Sequence, residues 1–322
     1  MKILVTGAAG FIGYHSVLEL VSQGHEIIGI DNLNDYYDVS LKEKRLSLLR
    51  KLDGFNFHRL DLADQNEMAA LFESCAFDKV LHLGAQAGVR YSIDNPFAYL
   101  HSNLTGTLNV IEGCRRTKVK HLVYASSSSV YGANKKVPFS TYDMTDSPVS
   151  LYAATKKSNE LMCQTYAHLY QLPCTGLRFF TVYGPWGRPD MAYFKFTKAI
   201  LANEEIDVYN YGDMSRDFTY ISDIVDGISA LINLKVYPDG KGVPHKVYNL
   251  GNNKPEQLTA MISELESLLG VNARKRMLPM QPGDVHSTYA DIEESIKDFG
   301  YSPKVGLNAG LAKFVEWYKA EY

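Results

Sequence analysis

The residues best suited to chemistry are Tyr152 and Lys156, four positions apart in Tyr152-Ala153-Ala154-Thr155-Lys156. On a helix that spacing puts both side chains on one face, a turn apart. A phenol with a reference pKa of about 10 accepts protons poorly at neutral pH. An ammonium beside it favours the phenolate and brings it toward the working range. Upstream, Ser126-Ser127-Ser128-Ser129 gathers four hydroxyls, with Ser127 standing 25 residues before Tyr152. Taken singly, a Tyr and a Lys at this spacing suit many solvated helix faces, and a serine run suits a polar turn at a strand end. A third stretch changes the reading. Gly7-Ala8-Ala9-Gly10-Phe11-Ile12-Gly13 follows an apolar run directly and opens a helical pattern.

That glycine spacing has a physical purpose. Gly7 permits a tight turn, Gly10 lets the backbone approach a pyrophosphate, and Gly13 allows the helix to pack closely on the strand. The helix N-terminus then offers free N–H groups and a positive dipole end to phosphate. Asp31 lies 18 residues beyond Gly13, at the end of the second apolar run. A carboxylate there accepts from both ribose hydroxyls of NAD and repels the 2′-phosphate of NADP. Phe11 and Ile12 in the loop, Asn32 beside Asp31, and Asp61 and Leu62 after the third run complete the expected cofactor contacts, the last two at an adenine edge. An isolated Asp at a strand end is also a common helix cap, which is the other reading of Asp61.

Elements must hold these groups in place. Lys2–Thr6, Glu26–Ile30, Phe55–Arg59, Lys79–Leu83 and His121–Ala125 read as buried strands, with helical segments between them. Strand and helix alternate without Asn-Gly hairpin signals, which predicts an α/β fold: a Rossmann-type doubly wound parallel sheet. Long helices are expected near 97–116 and 151–170, each with a face to spare for a partner subunit or for burial. After Arg178 the pattern loosens, and Thr181–Pro189 is a loop by its glycines and prolines. The expected division is a nucleotide-binding domain over 1–180, rejoined by about 217–251, and a smaller C-terminal α/β substrate lobe made mainly of 181–322.

Composition sets limits. The chain has 322 residues, 46% hydrophobic and 21% charged, enough for a large core. The formal charge of −3 argues against a nucleic-acid or anionic-membrane footprint. The apolar start is too short for a signal peptide and breaks at Gly7. No run of about 18 apolar residues predicts a membrane span. Cys75, Cys114, Cys163 and Cys174 have neither metal nor redox spacing, so reduced thiols in a cytoplasmic protein are expected. The nine histidines show no metal spacing either, and His82 reads as a core residue.

Together, the glycine spacing, the tyrosine–lysine pair and the serines resemble the extended short-chain dehydrogenase/reductase family, across essentially the whole chain. The resemblance implies that Tyr152 is the acid/base, that Ser127 orients the reacting hydroxyl, and that Lys156 holds the nicotinamide ribose of NAD and lowers the tyrosine pKa. Within that family, Ala85–Ser92, Ser126–Gly132, Leu177–Arg188 and Gly212–Asp223 look like those of UDP-glucuronate 4-epimerases. The implied chemistry is transient oxidation at C4 and return of hydride to the opposite face. Related 4,6-dehydratases carry Asp-Glu, and glucuronate decarboxylases Ser-Glu, where this chain has Ser128-Ser129. Thr181 stands where many UDP-galactose 4-epimerases have an asparagine.

The same resemblance implies a UDP-sugar site. Ser128, Ser129 and Thr181 are expected to hold the sugar carboxylate as neutral donors, with Arg90 and Arg188 within reach of a carboxylate or phosphate. Arg216 matches a diphosphate-contacting arginine, Gln281 replaces a second one, and Asp284 is a candidate for the nucleotide ribose. Asn103 matches a structural asparagine near the site, and a homodimer is the family's assembly. Other readings stay open: a UDP-hexose or N-acetylhexosamine epimerase, a decarboxylase, or a non-catalytic nucleotide-binding module.

Overall fold

In β1 (Lys2–Thr6), Ile3, Leu4 and Val5 are fully buried. Ile3 and Val5 join one hydrophobic cluster and Leu4 the other, so alternate side chains feed cores on opposite faces of one sheet. The computed structural model describes residues 1–234, 242–281 and 283–322; Pro282, in the motif around Gln281, lies outside them.

The chain continues through β2 (Glu26–Asp31), β3 (Phe55–Arg59), β4 (Lys79–His82), β5 (His121–Ser127) and β6 (Cys174–Phe179). Beyond them come β7 (Thr181–Tyr183), β8 (Glu205–Val208), β9 (Ser215–Tyr220), β10 (His245–Leu250), β11 (Pro255–Gln257) and β12 (Arg274–Met277). Seven strands form the main sheet in the order β10-β6-β5-β4-β1-β2-β3, and every neighbouring pair in it is parallel. The order reverses direction at β1, between β2 and β4, and such a crevice at the carboxyl ends is where doubly wound sheets bind ligands. A three-stranded sheet (β11-β9-β7) and a two-stranded one (β12-β8) lie outside the main sheet. Helix Ile221–Asn233 packs on helix Phe11–Ser22, so late sequence covers a face of the early sheet.

Helix Leu151–Tyr170 starts at Ser150, whose side chain accepts from the Ala153 N–H, and ends at Gln171 in the left-handed region, with Pro173 beyond. The expected helix near 97–116 is a composite. Pro96–Tyr99 and Gly106–Thr117 are α-helical, and Leu100–Thr105 between them is a π-helix. The widened stretch carries the buried Asn103. Such insertions recur at functional sites because they re-aim a side chain. Among the described residues no helix is long and apolar enough to cross a membrane.

Candidate active site

A cavity of about 410 Å³ opens at the carboxyl ends of the central strands. At one end lies the glycine loop. Gly7 has a φ of +70°, and a Cβ there would sit 2.8 Å from the Gly84 backbone. A Cβ on Gly13 would lie 2.1 Å from the Gly7 carbonyl, so the helix sits directly on the turn. The helix N-cap is Gly10 and makes no side-chain cap bond, which leaves the first-turn N–H groups of Phe11, Ile12 and Gly13 available to an anion. This cradle fits a dinucleotide pyrophosphate. Asp31 ends β2 in the same cavity and accepts from the Leu33 N–H at 2.9 Å. Burial pushes its carboxyl up, and Lys42 pulls it back. Asn32 donates to Asp61 at 2.9 Å, and Leu62 lines the wall beside them. Burial works to raise the Asp61 carboxyl, but the bonds from Asn32 and Ala63 hold it below its ordinary value.

Tyr152, Lys156 and Ser127 meet further along the same cavity. The Lys156 ammonium is buried and donates to the Ala125 carbonyl at 3.0 Å. Burial lowers its pKa to about 8. Burial also raises the Tyr152 phenol, and the groups pulling it back are first the Ser127 hydroxyl and then Arg188. The tyrosine–lysine spacing implies a lowering by Lys156. In the structure the ammonium donates to a β5 carbonyl, and burial leaves the phenol above its ordinary value despite Ser127 and Arg188.

The catalytic helix is pinned from behind. Glu160, one turn past Lys156, takes two bonds from Arg178 on β6, at 2.8 and 2.9 Å, and one from Ser126 at 2.6 Å. Burial opposes the Glu160 carboxylate, but Arg178 keeps it ionised. Removing one member of such a buried pair costs about 3–5 kcal/mol. Asn103 supplies the second anchor: it brackets the Gln86 backbone at 2.8 and 3.1 Å and donates to Thr155 at 3.0 Å. His82 is buried between Thr6 and Thr107, at 2.7 and 3.1 Å, and its burial lowers it to about 3, so it packs as a neutral core side chain.

Ser128, Ser129 and Thr181 line the main cavity and also a second one of about 150 Å³, whose wall adds Arg216 and Asp284. Arg216 is anchored on the carbonyls of Ser215 and His286, at 2.8 and 3.1 Å. Arg188 lines the main cavity. Arg90 and Gln281 line neither. Arg90 stands at the rim, donating to Asp284 at 2.8 Å with its guanidinium 4.8 Å from the Tyr209 ring centre, and Gln281 has a buried side-chain oxygen without a hydrogen-bond partner among the described residues.

Several residues here were missed by sequence reasoning. Lys42 donates to Asn34 beside Asp31. Arg45 is fully buried and ties the glycine loop to the later loop, donating to the carbonyls of Ala9 at 3.0 Å and Trp186 at 2.6 Å. Tyr36 and Asp190 flank Arg188. The contacts of Arg45 and of Tyr36 with Asp190 span long sequence separations and carry no spacing signal; only Lys42, eight residues after Asn34, and Asp190, two residues after Arg188, were within reach of a local reading.

Comparison with known proteins agrees with this geometry. Residues 3–251 match the NAD dependent epimerase/dehydratase family. The chain belongs to it. Among the family's relatives, Protein CapI of Staphylococcus aureus is 51% identical, over 100% of this chain and 99% of that protein. A probable UDP-glucuronate 4-epimerase of Rhizobium meliloti is 46% identical, over 100% of this chain and 98% of that one. The crystal structure of UDP-glucuronic acid 4-epimerase from Bacillus cereus, in complex with UDP-glucuronic acid and NAD, superposes with a TM-score of 0.91 at 34% identity, covering 100% of both chains.

Proposed function

We propose that this epimerase-family chain is an NAD-dependent UDP-glucuronate 4-epimerase, an isomerase that converts UDP-glucuronate to UDP-galacturonate. The observation that carries the reading is the wall shared by the two cavities. Ser128, Ser129 and Thr181 stand between Tyr152 on one side and Arg216 on the other, and all three offer neutral hydroxyls. In this reading residues 1–180, with 217–251, carry the cofactor, and 181–322 mainly carry the nucleotide sugar.

NAD supplies the acceptor for the C4 hydride and later returns it, so no net oxidation occurs. The protein handles the proton. Tyr152, as phenolate, takes the proton of the 4-hydroxyl, Ser127 orients that oxygen, and Lys156 holds the ribose end of the cofactor. Asp31, Asn32, Asp61 and Leu62 hold its adenosine end, and the glycine loop its phosphates. After the 4-keto sugar has turned in the cavity, Tyr152 gives the proton back to O4. The oxidised sugar is a β-keto acid and loses CO₂ when its C5–C6 bond aligns with the ketone π-system. Ser128, Ser129 and Thr181 hold the carboxylate away from that alignment without themselves becoming acids. Arg216 meets the diphosphate, Asp284 the nucleotide ribose, and Arg90 and Gln281 frame that end.

The test is to incubate the protein with NAD and UDP-glucuronate or UDP-glucose and resolve the products by NMR. UDP-galacturonate with almost no pentose product is expected. Turnover of UDP-glucose alone would move the chain to the neutral-hexose epimerases.

A homodimer is part of the same proposal. Phe97, Leu100 and Leu108 on one helical path, and Leu161 and Leu169 on the mutually packed helix Leu151–Tyr170, are all exposed, Phe97 at 77%. An apolar ladder of this kind fits a second copy about a twofold axis. Light scattering at micromolar concentration should give twice the chain mass; a single-chain mass would contradict it. The four free cysteines support a cytoplasmic location, which cell fractionation would test.

A further inference from the structure

Of the three arginines near the sugar end of the cleft, Arg216 is held by backbone carbonyls, and Arg90 and Arg188 already have carboxylate partners. Arg90 pairs with Asp284. Arg188 makes two bonds to one carboxylate, from Nε to Asp190 Oδ1 at 3.0 Å and from a terminal nitrogen to Oδ2 at 2.5 Å. The Tyr36 hydroxyl adds a third bond to Asp190 Oδ2 at 3.1 Å. Arg188 and Tyr36 line the cavity that holds Tyr152, and Asp190 braces them from behind with only 22% of its side chain exposed. The guanidinium that reaches the sugar therefore arrives as half of a neutral pair.

A uronate brings a carboxylate into that space. An unpaired guanidinium would take it in a bidentate, charge-assisted pair. Such an anchor binds starting sugar and keto sugar alike, which lowers KM without helping the chemical step. It also opposes the turning of the keto sugar, on which delivery of hydride to the second face depends. An arginine already matched by Asp190 leaves the carboxylate to the weaker hydroxyl donors and leaves the ring free to turn.

We propose that Asp190 is a specificity-determining residue: with Tyr36 as its second donor, it holds Arg188 in a bidentate pair and keeps that guanidinium from capturing the substrate carboxylate. The inference rests on the uronate reading of the site.

Asp190→Asn removes the charge and keeps the size and one acceptor. The measurements are KM and kcat for UDP-glucuronate, and the inhibition constant of UDP-glucose as a neutral competitor, at saturating NAD. KM should fall about 5-fold, as expected for one uncovered charge at a partly screened site, and kcat should fall by a similar factor. The UDP-glucose constant should stay within about 2-fold of wild type, because a neutral sugar does not sense the freed charge. Asp190→Glu, which keeps the charge, should return KM toward wild type. A raised KM with lowered kcat in Asp190→Asn, as a loosened loop would give, overturns the proposal. So does an unchanged KM, or a Glu variant with the Asn variant's low KM. A wild type that does not turn over UDP-glucuronate fails the uronate reading itself, and this inference with it, before any variant is made.

Discussion

At the cofactor end of the cleft, the phosphate cradle is set by backbone. The turn at Gly7, the uncapped helix start at Gly10 and the contact of Gly13 with the Gly7 carbonyl need only the right glycines in one short stretch. At the sugar end the groups are side chains, each held by its own partners. Arg90 depends on Asp284, Arg188 on Asp190, and Arg216 on two carbonyls, one of them at His286. A backbone-built site binds whatever fits its phosphate and ribose contacts. A side-chain-built site can be retuned one charge at a time.

The largest effect lies where the two ends meet. Tyr152→Phe removes the only proposed proton acceptor, and kcat should fall about 10²–10⁴-fold while UDP-sugar affinity stays within a few-fold. Near-normal kcat would show that the proton leaves by another route. Next comes the sugar end. Ser129→Ala should cost on the order of 1–3 kcal/mol in kcat/KM if its hydroxyl meets the carboxylate in a desolvated wall. It should also raise the fraction of decarboxylated product, seen by NMR as 4-keto-pentose. An unchanged product ratio would place the restraint on the carboxylate elsewhere. At the cofactor end, Asp31→Ala should narrow the preference for NAD over NADP by about tenfold, since the repelling carboxylate is gone. Wild-type protein that binds NADP as tightly as NAD would contradict the role given to Asp31.

What was legible in the sequence follows the same division. The parallel sheet, the glycine loop and the end of β2 at Asp31 are written locally, in runs of apolar residues and one loop spacing. The groups around the sugar are not. Tyr36 and Asp190 lie 154 residues apart, and Arg45 and Trp186 141 apart, so only the folded chain brings them together. The π-helical Leu100–Thr105 carries Asn103, whose inward bonds to Gln86 and Thr155 are tertiary and leave no local signal. The tyrosine–lysine spacing puts both groups on one helix face, and the structure has them in one cavity; that the Lys156 ammonium also donates to a carbonyl of β5 is something no spacing reveals.

The smallest effect is one of pH. Burial brings Lys156 from the usual 10.5 to about 8 in the folded protein. Between those values the unfolded chain binds the extra proton, so the cofactor-free protein should gain stability from this site as pH rises from about 8 toward 10.5. Lys156→Met should remove that share of the slope, read as the difference between wild-type and variant urea midpoints at about pH 7.5 and 9.5. Equal slopes would mean that the ammonium is not desolvated as the structure has it.

The central claim is that one hydrogen leaves C4 and comes back to the same carbon on its other face. UDP-glucuronate deuterated at C4, turned over with NAD in ordinary water, tests it most directly. The account predicts UDP-galacturonate that keeps its deuterium at C4, with C6 retained. Loss of the label to water, or release of CO₂ in step with turnover, would contradict it.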